Sequence, residues 1–206
     1  MNTTIAPESH GRIDYQGKKI GMWLFLYTEL LFFGGMFLLY SIFRSHYPIE
    51  FHTAASAENL ILGTVNTTVL LTSSLAIALA IASIKSGNTR RSSCLQITTI
   101  ALGVVFLIIK YFEWEAKISE GLYPGSSVLS VKAHGEIMFF SLYFVMTGMH
   151  GLHVFIGIGV IAFMFVLTQR GSLTRDSFVK LENTGLYWHF VDIVWIYLFP
   201  LFYLIS

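Results

Sequence analysis

Long apolar stretches separated by short polar segments are the main pattern along this chain. Five stretches are long enough to cross about 30 Å of hydrocarbon, which takes roughly 20 residues of helix. We number them spans one to five, at about residues 20–43, 60–84, 95–114, 135–168 and 183–205. None alternates polar and apolar residues as barrel strands do. The pattern predicts an all-α integral membrane protein, a bundle of five transmembrane helices behind a polar tail of residues 1–19.

Two of these spans have lengths that lead to further expectations. Span four is longer than one crossing requires, so we expect it to tilt or to project beyond the membrane. Span one is too long for the core of a signal peptide, and no small-residue cleavage site follows it. We therefore expect span one to be retained in the mature protein.

The basic residues predict how the bundle is oriented. Segments on one side carry nine of them: Arg12, Lys18, Lys19, Lys85, Arg90, Arg91, Arg170, Arg175 and Lys180. Segments on the other side carry three, which are Arg44, Lys117 and Lys132. Because short basic segments stay in the cytoplasm, we expect a cytoplasmic N-terminus and a C-terminus outside.

Composition agrees with a membrane location and excludes other classes of protein. Charged residues make up 12% of the chain, about half the fraction that a soluble domain carries. The 13 Lys and Arg nearly balance the 12 Asp and Glu, so the charge gives no indication of a nucleic-acid-binding protein. Cys94 is the single cysteine, which excludes a disulfide framework and a CxxC metal or redox site.

Glu29 lies near the middle of span one. A carboxylate at that depth costs a few kcal/mol at least unless it is protonated, paired or turned to a protein interior. It is either a proton- or lipid-handling group or a neutral acid that is hydrogen-bonded inside the bundle. Helix rise places it roughly 14 Å from the inner end of its span, a depth that His150, His153 and His189 can share. We predict a hydrogen bond to an imidazole, direct or through one water, with His153 as first choice.

Span four carries His150 and His153, which share one helix face because they are three residues apart. Such a pair could ligate a metal or, in principle, two haems. A di-iron site would need Glu-x-x-His motifs on two helices, and a di-haem site would need a second histidine pair. Neither is present in the sequence. We therefore favour imidazoles that hydrogen-bond across a helix interface.

Span five carries Glu182, His189 and Asp192 on one stripe, at offsets of seven and three residues. The His189–Asp192 pair could be a proton relay. It could also be a local ion pair that faces a partner subunit, which is the interpretation we favour.

In span three, Lys110 and Glu113 are three residues apart, near the predicted outer end. We expect them to pair with each other while Lys110 extends outward to the membrane surface. Glycines in spans one and four are expected to let helices approach closely: Gly34, Gly35, Gly148, Gly151, Gly157 and Gly159.

Three blocks of sequence carry a resemblance to a known family. They are TELLFFGGMFLLYSIF in span one, TGMHGLHVFIG in span four and YWHFVDIVW, which contains Trp188, in span five. Together with KYFEWEAKISEGLYPGS, where Glu113 takes the place of a family glutamate, they resemble subunit III of haem-copper respiratory oxidases, in its short five-helix bacterial form. The resemblance covers the chain from about Gly21 to Ser206.

The resemblance implies a non-redox subunit in a bacterial cytoplasmic membrane. Haems and coppers are expected in subunits I and II, which reduce oxygen to water and translocate protons, and no cofactor is expected in this chain. Subunit III packs on the flank of subunit I, binds phospholipid, and supports proton uptake and durability. The matching residues are then expected to serve packing and hydrogen bonding rather than catalysis: Glu29, Glu113, His150, His153, Trp188, His189 and Asp192.

Several alternatives stay open at the level of sequence. The complex could take electrons from cytochrome c or from quinol, or the chain could be a subunit III-like accessory of a nitric oxide reductase. From a different class, the intramembrane acids could indicate a small proton-coupled transporter, although no span is visibly broken and no inverted repeat is present. A haem-binding membrane anchor is the last alternative, and an absorption spectrum would test it.

Overall fold

Helices account for nearly all of the chain in this computed structural model, which describes residues 8–173 and 178–204. The seven helices of these residues are α1 (Glu8–His46), α2 (Pro48–Ala55), α3 (Leu60–Lys85), α4 (Thr89–Ser119), α5 (Ser127–Ser130), α6 (His134–Gln169) and α7 (Val179–Tyr203). Five of them, α1 from Lys19 onward, α3, α4, α6 and α7, are long and apolar enough to cross a membrane. The five predicted long helices are therefore confirmed.

The helix ends differ from the predicted span ends where polar residues continue a helix. Helix α1 begins at Glu8, inside the predicted tail. Helix α4 begins at Thr89, where the Asn88 side chain accepts a hydrogen bond from the backbone N–H of Arg91. It ends five residues beyond span three, and Gly121 then adopts a φ of 73°, the left-handed conformation with which many helices terminate. Hydropathy detects only the apolar part of each helix, so it missed these polar turns.

Four of the long helices form the body of the bundle, and α1 lies at its side. Helices α3, α4, α6 and α7 pack on one another, whereas α1 packs on α6 and α7. In the most apolar stretch of α1 only 11% of the residues are buried, whereas in that of α7 the share is 50%. We call the end of the bundle that carries α2 the α2 end; the basic residues predict that it faces the outside.

Two tryptophans of α7 fill the centre of the bundle. Trp188 is fully buried, and its indole N–H donates to Ser73 Oγ on α3 at 3.0 Å. The ring rests on Gly157 of α6, where an added Cβ would lie 2.9 Å from it. About two turns toward the α2 end, the indole N–H of Trp195 donates to Thr67 Oγ1 at 3.0 Å. Small residues on the neighbouring helices therefore make room for large rings on α7.

The predicted role of glycines in close packing holds at some positions and fails at others. An added Cβ would lie 3.0 Å from the Trp114 ring at Gly148 and 2.9 Å from the Trp188 ring at Gly157, so both glycines allow close packing. At Gly34, Gly35 and Gly159, an added Cβ would have no neighbour within 4 Å in the described part of the chain. The prediction was wrong for these three glycines, because the bundle does not close over the helix faces on which they lie.

Candidate functional site

The predicted contact between span one and span four is present. His153 Nε2 on α6 lies 2.9 Å from Glu29 Oε2 on α1. The other ring nitrogen, Nδ1, lies 2.7 Å from the carbonyl oxygen of Met149. Because a carbonyl can only accept, Nδ1 carries a hydrogen, and one further proton is shared between Nε2 and the carboxyl. The pair is thus a neutral acid with a neutral imidazole, or a carboxylate with an imidazolium.

This pair forms part of the wall of a pocket of about 440 Å³ between α1, α6 and α7. Met22, Phe25, Ile156 and Val160 supply apolar walls. Asn183, Thr184 and Tyr187 complete the lining, and the Tyr187 hydroxyl donates to the His153 carbonyl oxygen at 3.1 Å. The pocket is therefore an apolar cleft with a few polar groups and one proton-sharing pair.

A second pocket, of about 360 Å³, lies between α1 and α7. Its lining is apolar apart from His189 and the tip of Tyr27: Trp23, Leu26, Tyr27, Leu30, Leu186, His189, Phe190 and Ile193. The half of α1 that precedes Phe33 therefore has a cleft on each side.

Ion pairs join α1 and α3 to α7 near these clefts. Lys19, where the apolar part of α1 begins, forms an ion pair with Glu182 on α7 at 3.2 Å, and Lys85 of α3 reaches the same carboxylate at 2.8 Å.

His150 does not make the cross-helix hydrogen bond that the sequence predicted. It is fully buried, with ring centroids 5.5 Å from Phe106 and 5.2 Å from Trp195. Neither ring nitrogen has a hydrogen-bond partner among the described residues. The prediction was right for His153 and wrong for His150, because this part of α6 turns toward the aromatic side chains of α4 and α7.

His189 and Asp192 do not form the predicted pair. His189 Nδ1 lies 2.6 Å from Ser74 Oγ on α3. Asp192 is 3% exposed, and neither of its carboxyl oxygens accepts a hydrogen bond of ordinary geometry from residues 8–173 or 178–204. The favoured prediction of an ion pair that faces a partner was wrong. The physical reason is that both groups turn inward toward α3 and the chain itself encloses Asp192.

Lys110 and Glu113 pair as predicted, at 3.0 Å, but the lysine does not extend to the membrane surface. Its side chain is buried, and Nζ also donates to the hydroxyls of Tyr143 at 3.1 Å and Tyr203 at 2.9 Å. Both tyrosine hydroxyls in turn donate to Glu113 Oε1. Neither tyrosine was among the residues predicted from the sequence. A hydroxyl inside span four was the available signal for Tyr143, since buried polar groups need partners.

Acidic and histidine side chains do not come together as a metal site in the part of the chain that the structure describes: no group of three or more His, Cys, Asp or Glu is suitably placed. The polar groups instead occupy three places. These are the Glu29–His153 pair beside α1, the interior of the bundle around Trp188 and Trp195, and the ionic cluster around Glu113.

Comparison with known proteins confirms the resemblance that the sequence blocks indicated. The family model described as cytochrome c oxidase subunit III matches residues 2–206. Cytochrome c oxidase subunit 3 of Synechocystis sp. is 33% identical over 100% of this chain and 84% of its own length. That of Thermostichus vulcanus is 32% identical, over 100% of this chain and 96% of its own length.

A longer relative, named heme-copper oxidase subunit I+III, comes from Aeropyrum pernix. It is 30% identical over 91% of this chain, and the match spans 22% of the longer protein. The match of the family model covers all three sequence blocks. The chain therefore belongs to the cytochrome c oxidase subunit III family.

Proposed function

We propose that this chain is the non-redox subunit III of a proton-translocating terminal oxidase of the cytochrome c oxidase type, which reduces oxygen to water. It packs on the catalytic subunit I in a bacterial cytoplasmic membrane, within a complex that also contains subunit II. The Aeropyrum pernix relative supports this arrangement, because its name assigns subunits I and III to one chain. The names of the near full-length relatives favour cytochrome c oxidase over the quinol-oxidising and nitric oxide-reducing alternatives.

The 440 Å³ pocket beside α1 is the observation that carries the proposed role. Its volume is in the range of ligand pockets, and its walls are almost entirely apolar. A pocket of this kind within the membrane suits one acyl chain of a phospholipid. The ion pair between Lys19 and Glu182 closes the same end of α1 and α7, where the lipid headgroup would lie.

The Glu29–His153 pair gives this pocket a second property. Because one proton is shared between Oε2 and Nε2, it can pass from the carboxyl to the imidazole and back while the pair as a whole stays neutral. Support of proton uptake and of durability during turnover is thus assigned to the pocket and its bound lipid together. The catalytic chemistry belongs to the haems and coppers of the partner subunits.

Removal of this chain is the direct test of its role. We expect a complex purified without it to keep its haems and its initial oxygen-reduction rate, and to lose activity in fewer turnovers, because the flank of subunit I is then unsupported. The measurement is oxygen consumption over time, beside haem spectra and native gels. A complex that is equally durable without the chain, while the chain migrates alone on native gels, contradicts the proposal.

Replacing Glu29 tests the lipid pocket itself. Glu29→Gln should keep the bound lipid, because an amide still hydrogen-bonds to His153. Glu29→Leu strands the imidazole, at a cost of about 1–3 kcal/mol, and should lower the phospholipid that copurifies with the complex. Lipid content by mass spectrometry is the measurement, and Thr28→Val, at the exposed neighbouring position, is the control. Equal lipid content in all three variants would contradict a lipid role for this pair.

A further inference from the structure

A buried cluster of ionisable groups joins four segments of the chain near the α2 end. We call it the Glu58 cluster; it consists of Glu58, Lys110, Glu113, Lys117, Tyr143 and Tyr203. Glu58 lies in the short connection between α2 and α3, outside the long helices. Lys117 Nζ on α4 lies 3.4 Å from Glu58 Oε1 and donates to the carbonyl oxygen of Ala57 at 2.6 Å. This lysine therefore holds the α2–α3 connection against the end of α4.

The two carboxyl groups of the cluster have very different surroundings. Glu113 Oε1 accepts hydrogen bonds from Lys110 and from both tyrosine hydroxyls. Three hydrogen-bond donors therefore satisfy this oxygen. The side chain of Glu58 is 0% exposed, and neither of its oxygens accepts a hydrogen bond of ordinary geometry from the described residues. Of the two carboxyl groups, that of Glu58 is therefore better suited to hold a proton.

We propose that the Glu58 carboxyl is a proton-binding site whose occupancy couples the packing of the α2–α3 connection on α4 to the proton activity at the α2 end of the bundle. The charged and titratable groups that face Glu58 are Lys110, Glu113 and Lys117 of α4, Tyr143 of α6 and Tyr203 of α7. The two lysines favour its ionised form, whereas Glu113 favours its protonated form.

Burial is the largest influence on this group and raises the pKa of Glu58 from 4.5 to about 7, with Lys117 opposing the shift. The site therefore exchanges its proton near neutral pH. A pocket of about 250 Å³ lies beside the cluster, with Glu113 in its wall, and offers a route for the proton. It is lined by Ala57 and Asn59, the two chain neighbours of Glu58, and by Lys117 and the exposed Glu120.

The direction of the pH effect follows from the raised pKa. Between pH 4.5 and about 7 the folded chain keeps a proton that the unfolded chain releases. The stability that this proton contributes is fully present below pH 4.5 and is lost as the pH rises through about 7. Rising pH therefore loosens the α2–α3 connection, and falling pH tightens it.

The experiment compares thermal unfolding of the protein in its purified native assembly from about pH 4 to about pH 8.5. Glu58→Gln is neutral at every pH. It should unfold at the same temperature as the wild type near the acid limit and at a higher temperature near the alkaline limit. Lys117→Met removes the cation that favours ionised Glu58, so its loss of stability should start at the same pH as in the wild type and continue to higher pH. Glu115→Gln, at an exposed position on α4, should follow the wild type.

Infrared spectroscopy supplies a readout that does not depend on folding energetics. A pH titration of the wild type should show a protonated carboxyl band that disappears near pH 7 and is missing from Glu58→Gln. If Glu58→Gln keeps the wild-type pH profile of unfolding and the wild-type carboxyl band, the proton-binding site is not at Glu58 and the inference is overturned. Both measurements are independent of oxidase activity, so they are separate from the test of the proposed function.

Discussion

Glu113→Leu is expected to destabilise the bundle by about 3–5 kcal/mol, the cost of breaking a buried ion pair by removing one partner. The variant leaves the Lys110 ammonium and the hydroxyls of Tyr143 and Tyr203 without their shared acceptor. Lys110 is 7% exposed, so water cannot replace the carboxylate. The measurement is the free energy of unfolding of the purified protein in mixed micelles.

Two further variants identify the cause of that loss. Adding Lys110→Met to Glu113→Leu should recover most of the stability, because replacing both members of a buried pair by apolar residues is often close to neutral. Glu136→Gln removes one member of the more exposed pair with Lys132, whose atoms lie 2.6 Å apart, and should cost about 0–1 kcal/mol. If the single and double variants at Lys110 and Glu113 are equally unstable, lost packing rather than the stranded charge is the cause.

Depth along a helix was the most useful quantity that the sequence provided. Helix rise is fixed at about 1.5 Å per residue, so counting from the span ends, with the long span four projecting beyond the membrane, allows Glu29 and His153 to lie at a comparable level. The structure shows the 2.9 Å contact that this count predicted. The same reasoning could not choose the face of α6 on which each histidine finds its partner. His153 meets α1, whereas His150 lies among the rings of α4 and α7.

The expectation for Lys110 failed because the end of its helix was misplaced. Counted to the predicted end of span three at residue 114, the lysine lies close enough to reach the membrane surface. Helix α4 continues to Ser119, so Lys110 lies about 13 Å from the helix end. At that depth the Lys110 ammonium is stabilised by the Glu113 carboxylate and by the hydroxyls of Tyr143 and Tyr203. A depth that is counted from the end of an apolar span is therefore too small wherever polar turns extend the helix beyond that end.

The sequence pattern could not predict the partner of His189, for a different reason. His189 and Asp192 share a helix face, and a spacing of three residues allows contact but does not require it. Ser74, the partner that the structure shows, is one of many hydroxyls on α3. Only the rotation and tilt of α3 against α7, which are set by packing, select it.

Trp188→Ala is expected to cost about 3–5 kcal/mol, the range measured when large aromatic side chains are removed from a core. The indole fills the space between α4, α6 and α7 and donates to Ser73. Association of helices inside a membrane depends on such packing rather than on water exclusion, so the cavity is not compensated. The measurement is the free energy of unfolding in mixed micelles. Trp23→Ala, at a position that is 61% exposed, should change it by far less.

Gly157 provides a test of whether space is the cause of the Trp188 effect. In the wild type, Gly157→Leu should destabilise the bundle, because an added Cβ already lies 2.9 Å from the Trp188 ring. In the Trp188→Ala background the same substitution enters the vacated space and should restore part of the lost stability. The effect of one substitution thus changes sign with the residue opposite it. If Gly157→Leu is destabilising in both backgrounds, the loss in Trp188→Ala comes from the missing hydrogen bond to Ser73 or from a collapsed helix, and not from a cavity between α6 and α7.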